Sequence, residues 1–469
     1  MSDTKDTIVA LATPAGSGGL AIVRVSGTEA LSIASRLFRG ARLTASESHR
    51  AHHGWILDAD GRDVDEVLAL VLRAPRSYTG EDTVEISCHG SPHVVDEIVA
   101  ATVQAGARLA EPGEFTRRAF LNGKLDLCQA EAVADLIAAH TRASHRAALE
   151  QLRGRLSDRL RDVRDALVAL LADVEASIDF VEEGIEFFGR DVARRRGMEA
   201  SEHIDALLAT ADEGVLLRSG IRVSLAGAPN VGKSSLFNRI VQSPRSIVTE
   251  HAGTTRDVVG ETLRLGGILM ALEDTAGLRD VGGDPIEEIG IERSRQSHRD
   301  ADLVIHVIDA TSFGASAGVG GNGRVVALNK VDLLVDEMRE RVMESEDAAR
   351  TFLAAGGIEV PDAAAVCAVS AATGAGVDAL LDALVRAVQT SRLTLQQDAL
   401  VAINQRHREA LVRAQSALDQ FACDVEHEEP PEILAADLRG AVVTLGEISG
   451  EAVTEEILDS IFSRFCIGK

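Results

Sequence analysis

Three things are scarce in this 469-residue chain: long apolar runs, paired cysteines and positive charge. No stretch approaches the ~20 consecutive apolar residues that a membrane-spanning helix needs, so no membrane partner is expected. The opening MSDTKDTIVALATPAG sets one lysine and two aspartates ahead of a short apolar run. That is the wrong charge order for a secretory signal, and a cytoplasmic protein is expected. Five cysteines (Cys88, Cys128, Cys367, Cys423, Cys466) are scattered without CxxC spacing, which points away from a disulfide framework or a zinc cluster. The run Cys88-His89-Gly90-Ser91-Pro92-His93 holds ligand-type side chains but lacks a second cluster to complete a metal site. With 73 acidic against 48 basic residues, the net charge is −25. Composition therefore gives no support to a broad nucleic-acid surface; a local basic patch or a basic partner would have to deliver RNA.

What is present is a globular composition, 45% hydrophobic and 26% charged, at a length suggesting roughly two to four domains. Residues 7–120 read as mixed strand and helix, with strand-like runs at Leu20-Ala21-Ile22-Val23 and at Val67 to Leu72. From residue 124 the pattern turns helical. Leu149, Leu152, Leu156, Leu160, Val163, Leu167, Leu170, Val174 and Ile178 recur at spacings of three and four, which predicts one long amphipathic helix. From Ile221 to about residue 390, strands alternate with helices as in a parallel α/β domain. Helices are expected again over 397–425, 431–447 and 451–463, and Gly314–Gly323 is expected to be a surface loop. The fold class is thus multidomain, α/β plus α: an α/β domain inserted in a helical one, behind a separate N-terminal domain.

The inserted segment carries phosphate chemistry. The strand Ile221–Ala226 leads into Gly227-Ala228-Pro229-Asn230-Val231-Gly232-Lys233-Ser234, a GxxxxGK[ST] pattern, followed by the helical run from Ser235. The glycines let backbone N–H groups turn toward phosphates, Lys233 reaches their oxygens, and the Ser234 hydroxyl can ligate Mg²⁺. Asp274-Thr275-Ala276-Gly277 follows an apolar strand and suits a second metal-facing carboxylate and a γ-phosphate contact. Asn329-Lys330-Val331-Asp332 closes another strand. One carboxylate there accepts both N1–H and N2–H₂ of guanine, which adenine does not offer. Ser370-Ala371-Ala372 suits a loop whose N–H meets guanine O6. The expected substrate is GTP.

Hydrolysis needs a water-orienting group and charge for the transition state. Leu278 follows Gly277 and supplies neither. The segment Thr249-Glu250-His251-Ala252-Gly253-Thr254-Thr255 offers Thr255 to Mg²⁺ and backbone carbonyls to a monovalent cation, with the Asn230 side chain contributing. Asn230 could equally serve only to stabilise the P-loop turn.

The chain resembles the MnmE (TrmE) family of tRNA-modification GTPases over essentially its whole length. The resemblance rests on Tyr78-Thr79-Gly80-Glu81-Asp82, on Pro112 to Asp126 (PGEFTRRAFLNGKLD), on Gly253-Thr254-Thr255-Arg256-Asp257, on Ile289-Gly290-Ile291-Glu292-Arg293 and on Phe465-Cys466-Ile467-Gly468-Lys469. It implies a folate-binding, dimerising N-terminal domain (1–121), a helical domain in two parts (122–217 and 391–469) and an inserted Ras-like G domain (218–390). It also implies a homodimer whose GTPase is stimulated by potassium, working on tRNA. With the FAD-dependent MnmG (GidA), as a heterotetramer, it would install an aminomethyl-type group, such as carboxymethylaminomethyl, on C5 of the wobble uridine. The carbon would come from 5-formyl- or methylene-tetrahydrofolate.

By position, the resemblance assigns potassium to Asn230, Thr249, His251 and Thr254, the later ones largely through backbone, and magnesium to Ser234 and Thr255. Nucleotide contacts extend over 230–235, 249–255, 274–277, Asn329, Lys330, Asp332 and 370–372. The water-orienting acid falls on Glu287, two residues before Ile289; Glu288 is the alternative if the preceding loop is one residue longer, and either could be a solvated acid at a helix start. Folate maps to Arg24, Glu81, Lys124 and Lys469, each of which could equally make a surface ion pair. Cys466 is either packed and inert or part of the catalytic chemistry. A regulatory or ribosome-assembly GTPase without modification chemistry is the rival reading.

Overall fold

The structure, a computed structural model, describes residues 6–179, 189–211, 220–248, 260–273, 301–312, 324–360, 365–390 and 403–469. These fall into two compact units. One comprises 1–137, 151–205 and 409–469; the other comprises 138–150 and 206–408.

The first unit is built on a seven-stranded sheet in the order β3-β4-β5-β6-β2-β1-β7. Its long strands are β2 (Gly18–Ser26), β4 (Arg50–Leu57), β5 (Asp63–Leu72) and β6 (Thr83–Gly90), flanked by the short β1 (Ile8–Leu11), β3 (Phe38–Arg39) and β7 (Arg108–Leu109). Alternation along β5 sends Val67, Ala69 and Val71 into the core, where they meet helices α1 (Ala30–Leu37) and α2 (Pro92–Gln104). The two strand-like runs read from sequence thus lie on β2 and β5.

Downstream in the same unit come α3 (Glu114–Leu121) and α4 (Leu127–Ala138). The expected single long helix is instead two, α5 (Arg142–Leu152, most of which belongs to the second unit) and α6 (Arg155–Asp179) of the first. Gly154 separates them in the left-handed region, at φ +89°. The leucine spacing runs on through this break, so periodicity alone could not reveal it; glycine is the residue that reaches this backbone without cost. Leu156, Leu160, Val163, Leu167, Leu170 and Val174 of α6 are buried. Later helices of this unit are α7 (Arg190–Leu208), α12 (Gln405–Glu426, most of which belongs here), α13 (Pro431–Ser449) and α14 (Glu455–Phe462). Gly197 of α7 abuts the Phe421 ring of α12, where a Cβ would come within 2.8 Å. The last helix starts at 455 rather than 451 because the Thr454 side chain caps it, accepting from Ile457 N.

The second unit holds a sheet ordered β14-β13-β12-β8-β11-β10-β9. Strands β8 (Ile221–Ala226), β11 (Ile268–Glu273), β12 (Leu303–Asp309), β13 (Arg324–Asn329) and β14 (Ala365–Ala368) run parallel, while β10 (Gly260–Leu265) pairs antiparallel with β11 and β9 (Ile247–Val248). Two apolar cores cover the two faces: α8 (Lys233–Val241) and α11 (Val377–Thr390) on one, α9 (Asp336–Glu344) and α10 (Glu346–Ala355) on the other. Val325, Val326, Ala327 and Leu328 are wholly buried, as a central parallel strand covered on both sides requires. Together the two units make the protein multidomain, α/β plus α. The surface loop expected at Gly314–Gly323 lies outside the described residues, as does the expected start of the helix at 397–402.

Candidate functional site

The P-loop bridges β8 and α8. Gly227 and Gly232 have φ of +147° and +94°, and each is pressed against a neighbour. A Cβ on Gly227 would lie 2.3 Å from Val307 O, and one on Gly232 would lie 2.4 Å from Asn329 Nδ2. Neither position tolerates a side chain, so the backbone closes into a cradle at the N-terminus of α8, where N–H groups and the helix dipole favour anions. Lys233 Nζ donates to Gly227 O and Ala228 O, both at 2.9 Å, which lays the ammonium along the loop. Ser234 and Ser235 are exposed at the head of the helix, and Val231 is buried beneath the loop. Asn230 takes φ +63°, a left-handed conformation that asparagine tolerates better than most residues.

The segment Asn329–Asp332 is tied to this loop by side chains. Buried Asn329 donates from Nδ2 to Val231 O at 2.9 Å and accepts at Oδ1 from Ala371 N at 3.0 Å. Lys330, itself at φ +67°, donates from Nζ to Asn230 O at 2.7 Å and to Asp309 Oδ2 at 2.6 Å. Ser370 Oγ donates to Asp332 Oδ1 at 2.6 Å and accepts from Thr373 N at 3.1 Å, orienting that carboxylate. Arg239 of α8 donates to the carbonyls of Ala371 and Ala372, holding that loop from below. Gly376 closes the turn: a Cβ there would meet Ala368 O at 2.0 Å.

The structure therefore brings together Asn230, Val231, Gly232, Lys233, Ser234, Ser235, Asn329, Lys330, Asp332, Ser370, Ala371 and Ala372. Thr249 to Thr255, Asp274 to Gly277 and Glu287 lie outside the described residues. Asp309 and Arg239 were not singled out from sequence. Burial works to raise the Asp309 carboxyl, but hydrogen bonds from Lys330 and Thr311 overcome it and hold the group below its ordinary value. Its only sequence signal is a position at the carboxyl end of a parallel strand, where ligands of such sheets bind.

A second candidate site lies in the other unit, where the final segment meets the sheet. Gly468, at φ +95°, lies against β1: a Cβ would be 1.9 Å from Leu11 O. Phe115 N donates to Lys469 O at 3.2 Å, and Gly113 N to Cys466 O at 3.4 Å. Phe465 is buried, whereas Cys466 and Ile467 are exposed. Cys466 is thus not packed; the sequestered thiols are Cys88, Cys128 and Cys367, and burial is the chief cause that pushes Cys88 and Cys367 up to about 11. Among the folate candidates, Arg24 and Lys469 are neighbours, with Arg24 Nη1 3.5 Å from Gly468 O. Glu81 is engaged from inside by Ser26 Oγ at 2.8 Å and by Arg118 Nη1 at 3.3 Å. The Lys124 stem covers Gly80 and its Nζ donates to Pro75 O at 3.1 Å.

Fold and loops together define the second unit as a P-loop guanine-nucleotide-binding domain. Over residues 127–466 the chain matches the family model described as MnmE helical domain, and over 7–124 that of the GTP-binding protein TrmE N-terminus. It is 44% identical to the tRNA modification GTPase MnmE of Symbiobacterium thermophilum, covering 99% of this chain and all of that one. The protein of the same name from Aquifex aeolicus is 40% identical at 99% and 100% coverage. The chain belongs to the MnmE (TrmE) family.

Proposed function

We propose that this chain hydrolyses GTP in the modification of tRNA, acting as a cytoplasmic homodimer with an FAD-dependent MnmG partner on C5 of the wobble uridine. The observation that carries the reading is Asn329, whose amide ties the phosphate cradle to the guanine loop and makes them one site. In that site Lys233 leaves the carbonyls of its own loop to meet the β and γ oxygens, while Asp332 accepts from the guanine edge. The glycine cradle and the exposed Ser234 at the helix start fit a magnesium–nucleotide complex, with Thr255 as the second hydroxyl ligand. Asn230, Thr249, His251 and Thr254 would hold potassium; bound there, the cations supply positive charge against the phosphates. Glu287 would orient the attacking water.

In the other unit, Arg24 and Lys469 offer paired cations for a carboxylate-bearing tetrahydrofolate, with Glu81 and Lys124 completing its contacts. That group would supply the one-carbon unit. Exposed Cys466, held beside Lys469 by the turn at Gly468, would act in the chemistry on carbon.

Mass spectrometry of tRNA nucleosides from a deletion strain tests the proposal. Loss of the modified wobble uridine, restored by the intact gene but not by Lys233→Ala, is expected. An unchanged nucleoside profile would overturn it in favour of a switch without modification chemistry.

A further inference from the structure

Arg24 and Glu85 are directly opposed on the antiparallel strands β2 and β6. Arg24 Nε and Nη2 both reach Glu85 Oε1, at 2.9 and 2.8 Å. The guanidinium also lies over two rings, 5.3 Å from the centroid of Tyr78 and 5.5 Å from that of Phe115. Its side chain is 12% exposed and that of Glu85 20%, so solvent screens the pair poorly. The remaining nitrogen, Nη1, is the one turned toward Gly468.

Lys469 adds a second cation to this place. Burial and the Arg24 charge push its ammonium below the ordinary lysine value, and Glu85 pulls the other way. Other charged groups on the surrounding elements are engaged elsewhere. Arg117 pairs with Glu455 and Asp459, Arg118 with Asp6, Glu81 and Glu114, and Tyr78 Oη shares a hydrogen bond with Thr116. Two half-buried cations side by side repel one another unless an anion joins them. Glu85 offsets one of these two charges, and a ligand carboxylate would answer the other.

We propose that Glu85 is a positioning residue of this site. It fixes the edge of Arg24 and supplies the negative charge that lets Arg24 and Lys469 stand together, so that Nη1 and the ammonium jointly receive one carboxylate of a folate-type ligand. The identity of the ligand rests on the folate reading above; the role of Glu85 in holding the two cations does not.

The chain has only five lysines (Lys5, Lys124, Lys233, Lys330 and Lys469), so ¹³C-dimethylation of the full-length protein gives few enough NMR signals to titrate singly. Lys469→Arg assigns the relevant one. Glu85→Gln should lower the pH at which Lys469 loses its proton, Glu85→Asp should return it toward the parent value, and Arg24→Gln should raise it. The affinity for 5-formyltetrahydrofolate should fall about tenfold in Glu85→Gln and recover in part in Glu85→Asp. If Lys469 titrates alike in the parent and Glu85→Gln, the proposal is overturned. It is also overturned if Glu85→Gln and Arg24→Gln move the lysine in the same direction, as simple loosening of the segment would. Opposite shifts in a parent protein that fails to bind 5-formyltetrahydrofolate would sustain the role of Glu85 and remove the folate reading.

Discussion

Lys330 Nζ donates to the main-chain oxygen of Asn230 across 2.7 Å, so a side chain from the Asn329–Asp332 segment is fastened to the P-loop. Asp309 grips the same ammonium from the other side at 2.6 Å. Asp309→Asn should therefore weaken GDP binding, and the effect should depend on pH. Because the carboxyl is held below its ordinary value of 3.8, its contribution is complete above that pH and disappears as pH falls through the lower folded-state value. Thermal melts of parent and variant should differ at pH 7 and converge as pH drops below about 3.8. A difference that grows in acid would show that the carboxylate is not held by Lys330.

Removing the Asn329 amide should cost more. Asn329→Ala loses the bonds to Val231 O and Ala371 N and leaves both backbone groups without that partner. Roughly 2 kcal/mol is expected, or about thirtyfold weaker GDP binding by calorimetry. An affinity within twofold of the parent would mean the two loops keep their places without it.

Base selection should be separable from affinity for phosphate. Asp332→Asn exchanges an acceptor for a donor opposite guanine N1 and N2. The variant should lose GTP binding by at least about a hundredfold and gain preference for xanthosine triphosphate. Retained discrimination for guanine would place the base elsewhere.

Hydrolysis by the intact protein should run faster in potassium than in sodium, and Glu287→Ala should slow turnover far more than it weakens GTP binding. Equal rates in the two salts would remove the cation from the proposal. A turnover defect in Glu288→Ala in place of Glu287→Ala would shift the water-orienting role by one residue.

Gly468→Ala adds a methyl group where the nearest atom, Leu11 O, would be 1.9 Å away, on a backbone at φ +95°. Amide hydrogen exchange over Phe465–Lys469 should accelerate strongly, while GTP hydrolysis by the other unit stays near the parent rate. Unchanged exchange would mean the segment is anchored by Phe465 alone.

Much of the nucleotide site was legible because its parts are local. GxxxxGKS and NKxD each place their groups within a few residues of a strand end, and glycine's backbone freedom is a property of single residues. Asp309, Arg239 and Glu85 were not legible, since each gains its role from a partner dozens of residues away or across a sheet. The continuous helix expected through Leu149 to Ile178 failed for the opposite reason. A three-and-four leucine spacing persists across Gly154, so the pattern that identified the helices also concealed the join. Cys466 looked from its apolar neighbours as though it should be buried. Its exposure follows from Phe465 and Gly468, which take the inward positions on either side.

Arg24 and Gly468 touch although 444 residues separate them in sequence. At ribosomal speeds of roughly 5–20 residues per second, that interval is on the order of twenty seconds to a minute and a half. During that time the nascent chain carries β2 and β6, and with them Arg24 and Glu85, but not yet the closing segment. The whole GTP-binding unit is synthesised and free to fold in between. Polypeptides released early from translation would thus carry the complete sequence of the nucleotide pocket but not that of the cationic one.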